Sequence, residues 1–488
     1  MLKRMLAMGL TVGVAIGILM SCGSNQTTVP SPGSGALITL ISDVAPCNVL
    51  SFRGYIDGVT LTVVGGASGP AIIPTSQSYK LNFGMLRDLP TVLNITTLTA
   101  GTYNEATMDL ALVEMGVYDP SASPPVKTIS ARLTTASPTF TIAPPLTITK
   151  GGVSVLRIDF NLLQSIGVDS NGQITTKVTP VIIGSPVTAS GSQGFGELDD
   201  LLGFVRSVTP TSADPRFLGS FLLQLLSGSL PQGPAPTVSL TESTELFGAP
   251  PLDQLLTGSF VEVDGYFDAS GNLVAKAVEV EYQEDLAQNK MALIGTITGL
   301  TKDSSGNLSE FDLWVRQEEP NNEADIQVNS IVAVNLSSST AYQFSSRPVN
   351  FANLTFAPTT LALGQEVVVH GPYTKAAGQT TRVAADKVYL KLQPVQGSST
   401  SIVQIGSDDR TGAFWLSPCM SLFQKQPILV LTNNQTTFLN LSGLSGLTTR
   451  PLLLVKGLLF PQPQGATING VPVPPGTLVL LAKQVHQL

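Results

Sequence analysis

The amino-acid sequence predicts an all-β protein in which an N-terminal β-sandwich is followed by three small β-barrel repeats. Charged residues make up 12% of the 488-residue chain, about half of the roughly 25% that is usual for globular domains. Glycine and proline are abundant, with 45 and 34 copies, and together with β-branched residues they favour strands and turns over helices. Landmarks that recur about every 100 residues in the C-terminal part indicate internal repeats. A chain of this length is expected to form several domains.

Residues 1–21 have the features of a secretory signal peptide. Lys3 and Arg4 give a positively charged start, and residues 5–20 are uncharged and mostly apolar. This run is shorter than the roughly 20 residues of a membrane-spanning helix, and it fits the apolar region of a signal peptide. An uncleaved signal anchor, with Cys22 buried, is the alternative.

The end of this segment, Leu19-Met20-Ser21-Cys22, resembles the lipobox of bacterial lipoproteins. The resemblance implies cleavage before Cys22 and acylation of its thiol, so that a lipid anchor attaches the protein to a membrane. Such anchors hold because each buried methylene contributes ~0.8 kcal/mol. Gly23 rather than an aspartate follows the cysteine, which by the same resemblance implies the outer membrane within the cell envelope.

Residues 22–35 are predicted to form a flexible tether, because they contain almost no large apolar side chains. Removal of residues 1–21, which carry two basic residues and no acid, changes the net charge from −8 to −10. A negative surface repels phosphate backbones, so nucleic acid is not expected as a partner. It also disfavours binding to anionic lipid, so the lipid on Cys22 is the expected membrane attachment.

Residues 36–185 are predicted to form the β-sandwich. Segments 59–64 and 156–162 are rich in strand-forming residues, and turn residues separate such segments, as in a two-sheet sandwich. Together with Ala100-Gly101-Thr102-Tyr103, these segments resemble an uncharacterised domain found near the N-terminus of bacterial lipoproteins. That family implies no particular activity.

Three repeated units follow, each with a strand that ends in glycine. The units are predicted at residues 195–285, 290–394 and 400–488, and the landmark glycines are Gly265, Gly371 and Gly457. Five strands in each unit predict a small OB-like barrel, in which glycine permits the bend that closes the barrel. The units resemble a second uncharacterised family, of small β-domains in exported bacterial proteins. The barrels are expected to project from the sandwich as a chain.

Cys47 and Cys419 remain after Cys22 is lipidated. An oxidising envelope permits a disulfide between them. Because they lie in the first and last predicted domains, pairing requires contact between the two ends of the protein. Two separate thiols are therefore the favoured expectation.

No catalytic residue is predicted. His370 and His486 do not lie beside a recognisable nucleophile motif. His370 precedes a landmark glycine, and the equivalent positions in the other units hold Asp264 and Lys456. This variation is interpreted as a tolerant strand position.

No metal site or cofactor is predicted either. The turns at Asp169, Asp268 and Asp303 faintly resemble calcium loops, but each offers one carboxylate and has the sequence of a hairpin turn. Glu279 and Glu281 are expected to share one strand face and to point into water.

Trp314 and Trp415 lie on equivalent strands of the second and third units. If their side chains are exposed, we expect them to act as ligand-stacking residues for sugars, because OB-like faces bind oligosaccharides. Burial in the barrel cores is the favoured alternative.

The sequence as a whole predicts a non-catalytic cell-envelope lipoprotein with a binding or scaffolding role, towards envelope polysaccharide or another protein. A rigid repeated scaffold with loops of variable length favours this role. Two alternatives remain open: a carboxylate-dependent glycan-acting enzyme and a purely structural spacer.

Overall fold

The computed structural model describes residues 33–488, with gaps at 44–45, 87–89, 171–172, 191–193, 212–217, 227–232, 248–251, 253–254, 283–289, 320–325, 345–354, 377, 406–407, 448–450, 463 and 469. The predicted signal peptide and Cys22 lie outside the described residues. Within the described part of the chain, no helix has the length and apolarity needed to cross a membrane. Ser34 and Gly35, at the end of the predicted tether, already belong to the first strand.

The N-terminal domain is formed by one large sheet. Its elements are β1 (Ser34–Asp43), β2 (Val49–Val63), β3 (Ser68–Ile73), β4 (Tyr79–Asn82), β5 (Thr91–Thr99), β6 (Gly101–Tyr118), β7 (Val126–Leu133), β8 (Thr139–Ile148), β9 (Val153–Phe160), α1 (Leu162–Ser165), β10 (Ile166–Val168), β11 (Ile174–Val178) and β12 (Ile182–Val187). The strand order is β10-β11-β7-β6-β8-β12-β9-β1-β5, and β2 joins β6, β3 and β4. The sheet encloses one apolar core, which includes Phe52, Phe83 and Phe160.

Three small barrels follow along the chain. Barrel 1 contains β13 (Glu197–Pro210), β14 (Gly219–Leu225), β15 (Thr237–Leu240), β16 (Glu245–Phe247), β17 (Phe260–Phe267) and β18 (Leu273–Tyr282). Barrel 2 contains β19 (Lys290–Lys302), β20 (Leu308–Glu319), β21 (Ile331–Asn335), β22 (Ala341–Phe344), β23 (Glu366–Thr374), β24 (Arg382–Ala384) and β25 (Lys387–Leu390). Barrel 3 contains β26 (Leu392–Ile405), β27 (Gly412–Pro418), β28 (Ile428–Thr432), β29 (Thr437–Leu439), β30 (Leu452–Gln462), the hairpin β31 (Ala466–Ile468) and β32 (Val471–Val473), and β33 (Thr477–Gln487).

Each barrel is closed by one further strand pair. These closing pairs are β15 with β18, β19 with β23, and β28 with β33. The prediction of an all-β protein with small OB-like barrels is therefore confirmed.

The landmark glycines lie where neighbouring backbones come closest. A Cβ atom at Gly265, Gly371 or Gly457 would lie 2.3, 2.0 or 2.2 Å from a backbone carbonyl oxygen. The pairing register shifts beside Gly265 and Gly457. Because only glycine allows this approach, the repeated residue fixes an equivalent bend in each barrel.

The barrels pack against one another, so the expectation that they project as a chain is wrong. Barrels 2 and 3 share one core, in which Leu313 and Val367 lie with Leu458. Phe260 of barrel 1 lies in a buried cluster with Val368 of barrel 2. These strands carry apolar side chains on both faces, and the outer face needs a partner to cover it.

Strand β1 joins the N-terminal domain to barrel 1. Leu37 and Ile41 belong to the core of the N-terminal domain, whereas Ile38 and Leu40 belong to the core of barrel 1. Successive side chains of a strand point to opposite faces. The continuous apolar run of β1 therefore buries both of its faces.

Cys47 and Cys419 form a disulfide, with their Cα atoms 5.4 Å apart and a sequence separation of 372. The expectation of two separate thiols is therefore wrong. The two ends meet because barrel 3 packs beside the N-terminal domain. There the backbone N–H of Ser421 donates to Oδ1 of Asn48 at 2.7 Å.

Candidate functional site

A groove of about 920 Å³ lies between barrels 2 and 3. Its apolar lining includes Leu300 and Leu308 of barrel 2 and Leu478 of barrel 3. Leu300 is 39% exposed, so part of this apolar surface contacts solvent. A concave site with an apolar lining is the usual form of a binding pocket.

The polar lining of the groove is almost uncharged. Asn307, Ser337 and Gln424 contribute amide and hydroxyl groups, and the charged lining residues are Lys302 and Asp303. The Asp303 carboxylate accepts the backbone N–H of Asn307 at 2.9 Å, so this acid holds the turn between β19 and β20. The lining therefore matches a ligand that is itself uncharged.

Tyr342 also lines the groove. Burial raises the pKa of its phenol to about 12, and the ring packs edge-on against Phe356 at 5.7 Å between centroids. Its hydroxyl has no hydrogen-bond partner among the described residues. Tyr342 therefore stays neutral across the physiological pH range.

A second feature, the charge cluster, lies where barrel 1 meets barrel 3. It consists of Asp199, Asp200, Glu262 and Asp264 of barrel 1, Lys456 and Lys483 of barrel 3, and Lys391 between β25 and β26. Buried charges are costly unless they are paired, so such a group needs a specific arrangement of partners.

Each ammonium group of the charge cluster contacts a carboxylate of barrel 1. Nζ of Lys456 lies 2.9 Å from Oδ1 of Asp200 and 3.3 Å from Oδ2 of Asp199, and its side chain is only 2% exposed. Nζ of Lys391 donates to Glu262 at 2.7 Å, and Nζ of Lys483 donates to Asp264. Lysines outside barrel 1 therefore hold it in place through ion pairs with its carboxylates.

A β-bulge positions the two adjacent aspartates. The pairing of β13 with β17 shifts between Leu198 and Leu201, so that Asp199 and Asp200 are both inserted at one point of the ladder. Asp200 has a φ of 55°, a left-handed conformation that aspartate tolerates better than most residues. Its backbone N–H donates to Oδ1 of Asp264 at 3.0 Å. The bulge thus brings both carboxyl groups towards barrel 3.

The carboxyl groups of the cluster differ in proton affinity. Burial, reinforced by the Asp264 carboxylate, raises the pKa of Asp199 to about 6 although Lys456 opposes the shift. Burial would also raise the pKa of Asp264, but the ammonium groups of Lys483 and Lys456 more than offset it and hold that pKa below its usual value. Burial would lower the pKa of Lys456, yet Asp199 and Asp200 keep it well above normal.

Three carboxylates of the cluster approach the geometry of a cation site. One oxygen each from Asp200, Glu262 and Asp264 lies within 4.8 Å of the others. However, Lys456, Lys391 and Lys483 already pair with these groups. The arrangement is therefore filled by ammonium groups rather than prepared for a metal ion.

Trp314 does not form a stacking surface, because its side chain is 2% exposed. It lies between barrel 2 and the N-terminal domain, in a cluster with Leu50 and Tyr118. A Cβ atom at Gly116 would lie 2.6 Å from its ring. The hypothesis of sugar stacking at Trp314 is wrong for this reason, and Trp415 is half-buried against the core shared by barrels 2 and 3.

The position before the landmark glycine is not tolerant in barrels 1 and 3, because Asp264 and Lys456 both belong to the charge cluster. In barrel 2 the equivalent His370 packs against Tyr389 at 5.2 Å between ring centroids. Burial lowers the pKa of His370 to about 4, so it is neutral near pH 7. Glu279 is buried, which corrects the expectation that it points into water.

The fold and these sites define a protein of tandem closed β-barrels docked on a larger β-domain. One family model, described as Domain of unknown function (DUF5666), matches residues 236–279, within barrel 1. No curated protein matches the chain. Among solved structures, a deletion mutant of the single-stranded DNA binding protein from Thermus aquaticus is similar at 17% identity, over 40% of this chain and 96% of that one, with a TM-score of 0.13. That score supports no inference about this chain.

Proposed function

We propose that this chain is a non-catalytic binding or scaffolding protein of the bacterial cell envelope, and that the groove between barrels 2 and 3 is its binding site. The observation that carries this proposal is the open, apolar and nearly uncharged groove of about 920 Å³. The shared core of barrels 2 and 3 keeps the two walls in a fixed relation. Such preorganisation lowers the entropic cost of binding.

The proposed ligand is an uncharged polypeptide segment with apolar side chains. The apolar lining of the groove is mainly aliphatic, and moving an ionised group onto such a surface is unfavourable. Polysaccharide recognition would be favoured by exposed aromatic platforms, but Trp314 is buried. Serine and amide side chains of the lining match the hydrogen-bonding groups of a peptide backbone.

An enzyme that uses carboxylates is less favoured. The carboxylates of the charge cluster are paired with lysines, whereas a glycan-acting enzyme needs two carboxyl groups facing each other across a substrate. The proposal accordingly assigns this cluster a role in docking the barrels.

The groove is tested by a Leu300→Glu variant and a matched Leu256→Glu control. Leu256 is an exposed leucine of barrel 1, outside the groove lining. A library of uncharged apolar peptides and a set of neutral oligosaccharides are screened against purified residues 23–488. We expect micromolar binding of peptides, a loss of at least about tenfold in Leu300→Glu because a charge is placed in the apolar lining, and unchanged binding in the control.

Three results would contradict this proposal. They are no retention of any peptide, equal losses in both variants, and retention of oligosaccharides alone, which would assign the groove to envelope polysaccharide.

The cell-envelope location is proposed from the N-terminal sequence and is supported by the disulfide, because disulfides persist in oxidising compartments. A Cys22→Ser variant, which lacks the thiol for acylation, is expected to move from the membrane fraction to the soluble fraction. Ser24→Ala is the control and should remain in the membrane fraction. Retention of Cys22→Ser in membranes on immunoblotting would contradict the lipid anchor.

A further inference from the structure

The charge cluster contains one more carboxyl group than it has ammonium groups among the described residues. Asp200, Glu262 and Asp264 each have a lysine partner, namely Lys456, Lys391 and Lys483. Asp199 is the fourth carboxyl group, and it shares Lys456 with Asp200 at the longer distance of 3.3 Å. Asp199 is therefore the one carboxyl group of these four that has no lysine of its own among the described residues.

Asp199 is the least satisfied member of the charge cluster. Its side chain is 1% exposed, and its Oδ1 has no hydrogen-bond partner among the described residues. An ionised carboxylate is costly in this position, because it is buried and only shares a lysine partner. A protonated carboxyl group is neutral and avoids this cost. Binding of a proton by Asp199 would therefore remove a poorly paired negative charge from the buried contact.

The charged groups around Asp199 come from every strand packed against it. Asp200 is its neighbour on β13, and Asp264 faces it from β17. Glu262, also on β17, acts on Lys456. Lys456 and Lys483 face it from β30 and β33 of barrel 3, and Lys391 completes the cluster through Glu262. Glu279 on β18 is opposite Glu262 in the strand register.

We propose that Asp199 is the proton-binding group of a pH-sensitive lock between barrels 1 and 3. When Asp199 is protonated, Asp200, Glu262 and Asp264 keep their lysine partners without a competing carboxylate at Lys456, and barrel 1 is held against barrel 3. When Asp199 loses its proton, its poorly paired charge in the buried contact weakens the docking.

Two features support this lock. The pKa of Asp199, raised by burial to about 6, places the titration between pH 5 and pH 7. Asp200 is 35% exposed in its side chain, so the cluster has a side that is open to water through which protons can exchange. The contact between barrels 2 and 3 has no part in this change, because it consists of an apolar core and neutral amide hydrogen bonds from Gln365 and Gln393.

Hydrogen exchange reports on the lock, because the amide N–H of Asp200 donates to Asp264 on the surface of barrel 1 that barrel 3 contacts. The protection factor of this amide, corrected for the intrinsic pH dependence of exchange, is compared between pH 5 and pH 8. In the wild-type chain we expect it to fall about tenfold, since the docked state binds the Asp199 proton more tightly than the undocked state. A protection factor that does not change would overturn the proposal.

The Asp199→Asn variant mimics the protonated side chain and should abolish this fall. The matched control is Asp268→Asn, which makes the same chemical change in a hairpin turn of barrel 1 and should retain the fall. Retention of the pH dependence in Asp199→Asn, or its loss in Asp268→Asn, would contradict the assignment. Should Asp199→Asn not fold, the ¹³C shift of the Asp199 carboxyl carbon in the wild-type chain decides, because the lock requires a midpoint near pH 6.

Discussion

Barrel 3 contacts its two neighbouring barrels through surfaces of opposite character. Towards barrel 2 it contributes Leu431 and Leu458 to a shared apolar core. Towards barrel 1 it presents Lys456 and Lys483 to three buried or partly buried carboxyl groups, those of Asp199, Asp200 and Asp264. Apolar burial stabilises by ~25 cal/mol per Å² and involves no proton, whereas a buried ion pair depends on the charge of each partner. We therefore expect the contact of barrel 3 with barrel 2, beside the groove, to be independent of pH. We expect its contact with barrel 1 to depend on pH.

The largest loss in the free energy of unfolding is expected for a substitution of Lys456. A Lys456→Met variant keeps a similar volume but leaves Asp199 and Asp200 without their ammonium partner. Removal of one partner of a buried pair typically costs about 3–5 kcal/mol, measured as the free energy of unfolding in urea. Lys290→Met is the control, because its exposed pair with Asp386 contributes only about 0–1 kcal/mol. Equal losses in both variants would show that burial does not distinguish them.

A smaller effect is expected at the apolar contact. Leu458 is fully buried in the core shared by barrels 2 and 3. Leu458→Ala should lower the free energy of unfolding by about 2–5 kcal/mol, because it removes apolar contacts and leaves a cavity. The loss should be equal at pH 5 and pH 8, because the core contacts that the substitution removes are apolar. A loss in the free energy of unfolding that differs between these pH values would show that the contact between barrels 2 and 3 also depends on pH.

The smallest expected effect is the contribution of Asp199 to the pH dependence of the free energy of unfolding. Its pKa is about 6 in the folded chain, above the ordinary value of 3.8, so the folded state binds the proton more tightly. This stabilisation is present below about pH 4 and is lost as the pH rises through 6. The difference in free energy of unfolding between the wild-type chain and Asp199→Asn should change by about 2–3 kcal/mol from pH 4 to pH 8. A constant difference would contradict the pKa shift.

The barrels could be predicted because their signals are local. Gly265, Gly371 and Gly457 each serve a bend between strands close together in sequence, and the strands themselves are short apolar runs. Local composition and spacing contain this information.

The charge cluster could not be predicted in the same way, because its partners are far apart in the chain. Lys456 and Asp200 are 256 positions apart, and the disulfide joins residues 372 positions apart. One signal was present: Lys456 is a lone charge in the apolar run of β30, where a burial partner is required. The opposite charges of Asp264 and Lys456 at equivalent repeat positions were a second signal, interpreted as tolerance.

The central claim is tested most directly by the affinity of one groove-binding peptide, measured calorimetrically at pH 5 and pH 8 in the wild-type chain and in Leu300→Glu. Tyr342 does not titrate in this range, and the contact between barrels 2 and 3 consists of an apolar core and neutral amide hydrogen bonds. The account predicts the same dissociation constant at both pH values and a loss of at least about tenfold in the variant. A dissociation constant that follows the titration of Asp199, or binding that survives Leu300→Glu, would contradict it.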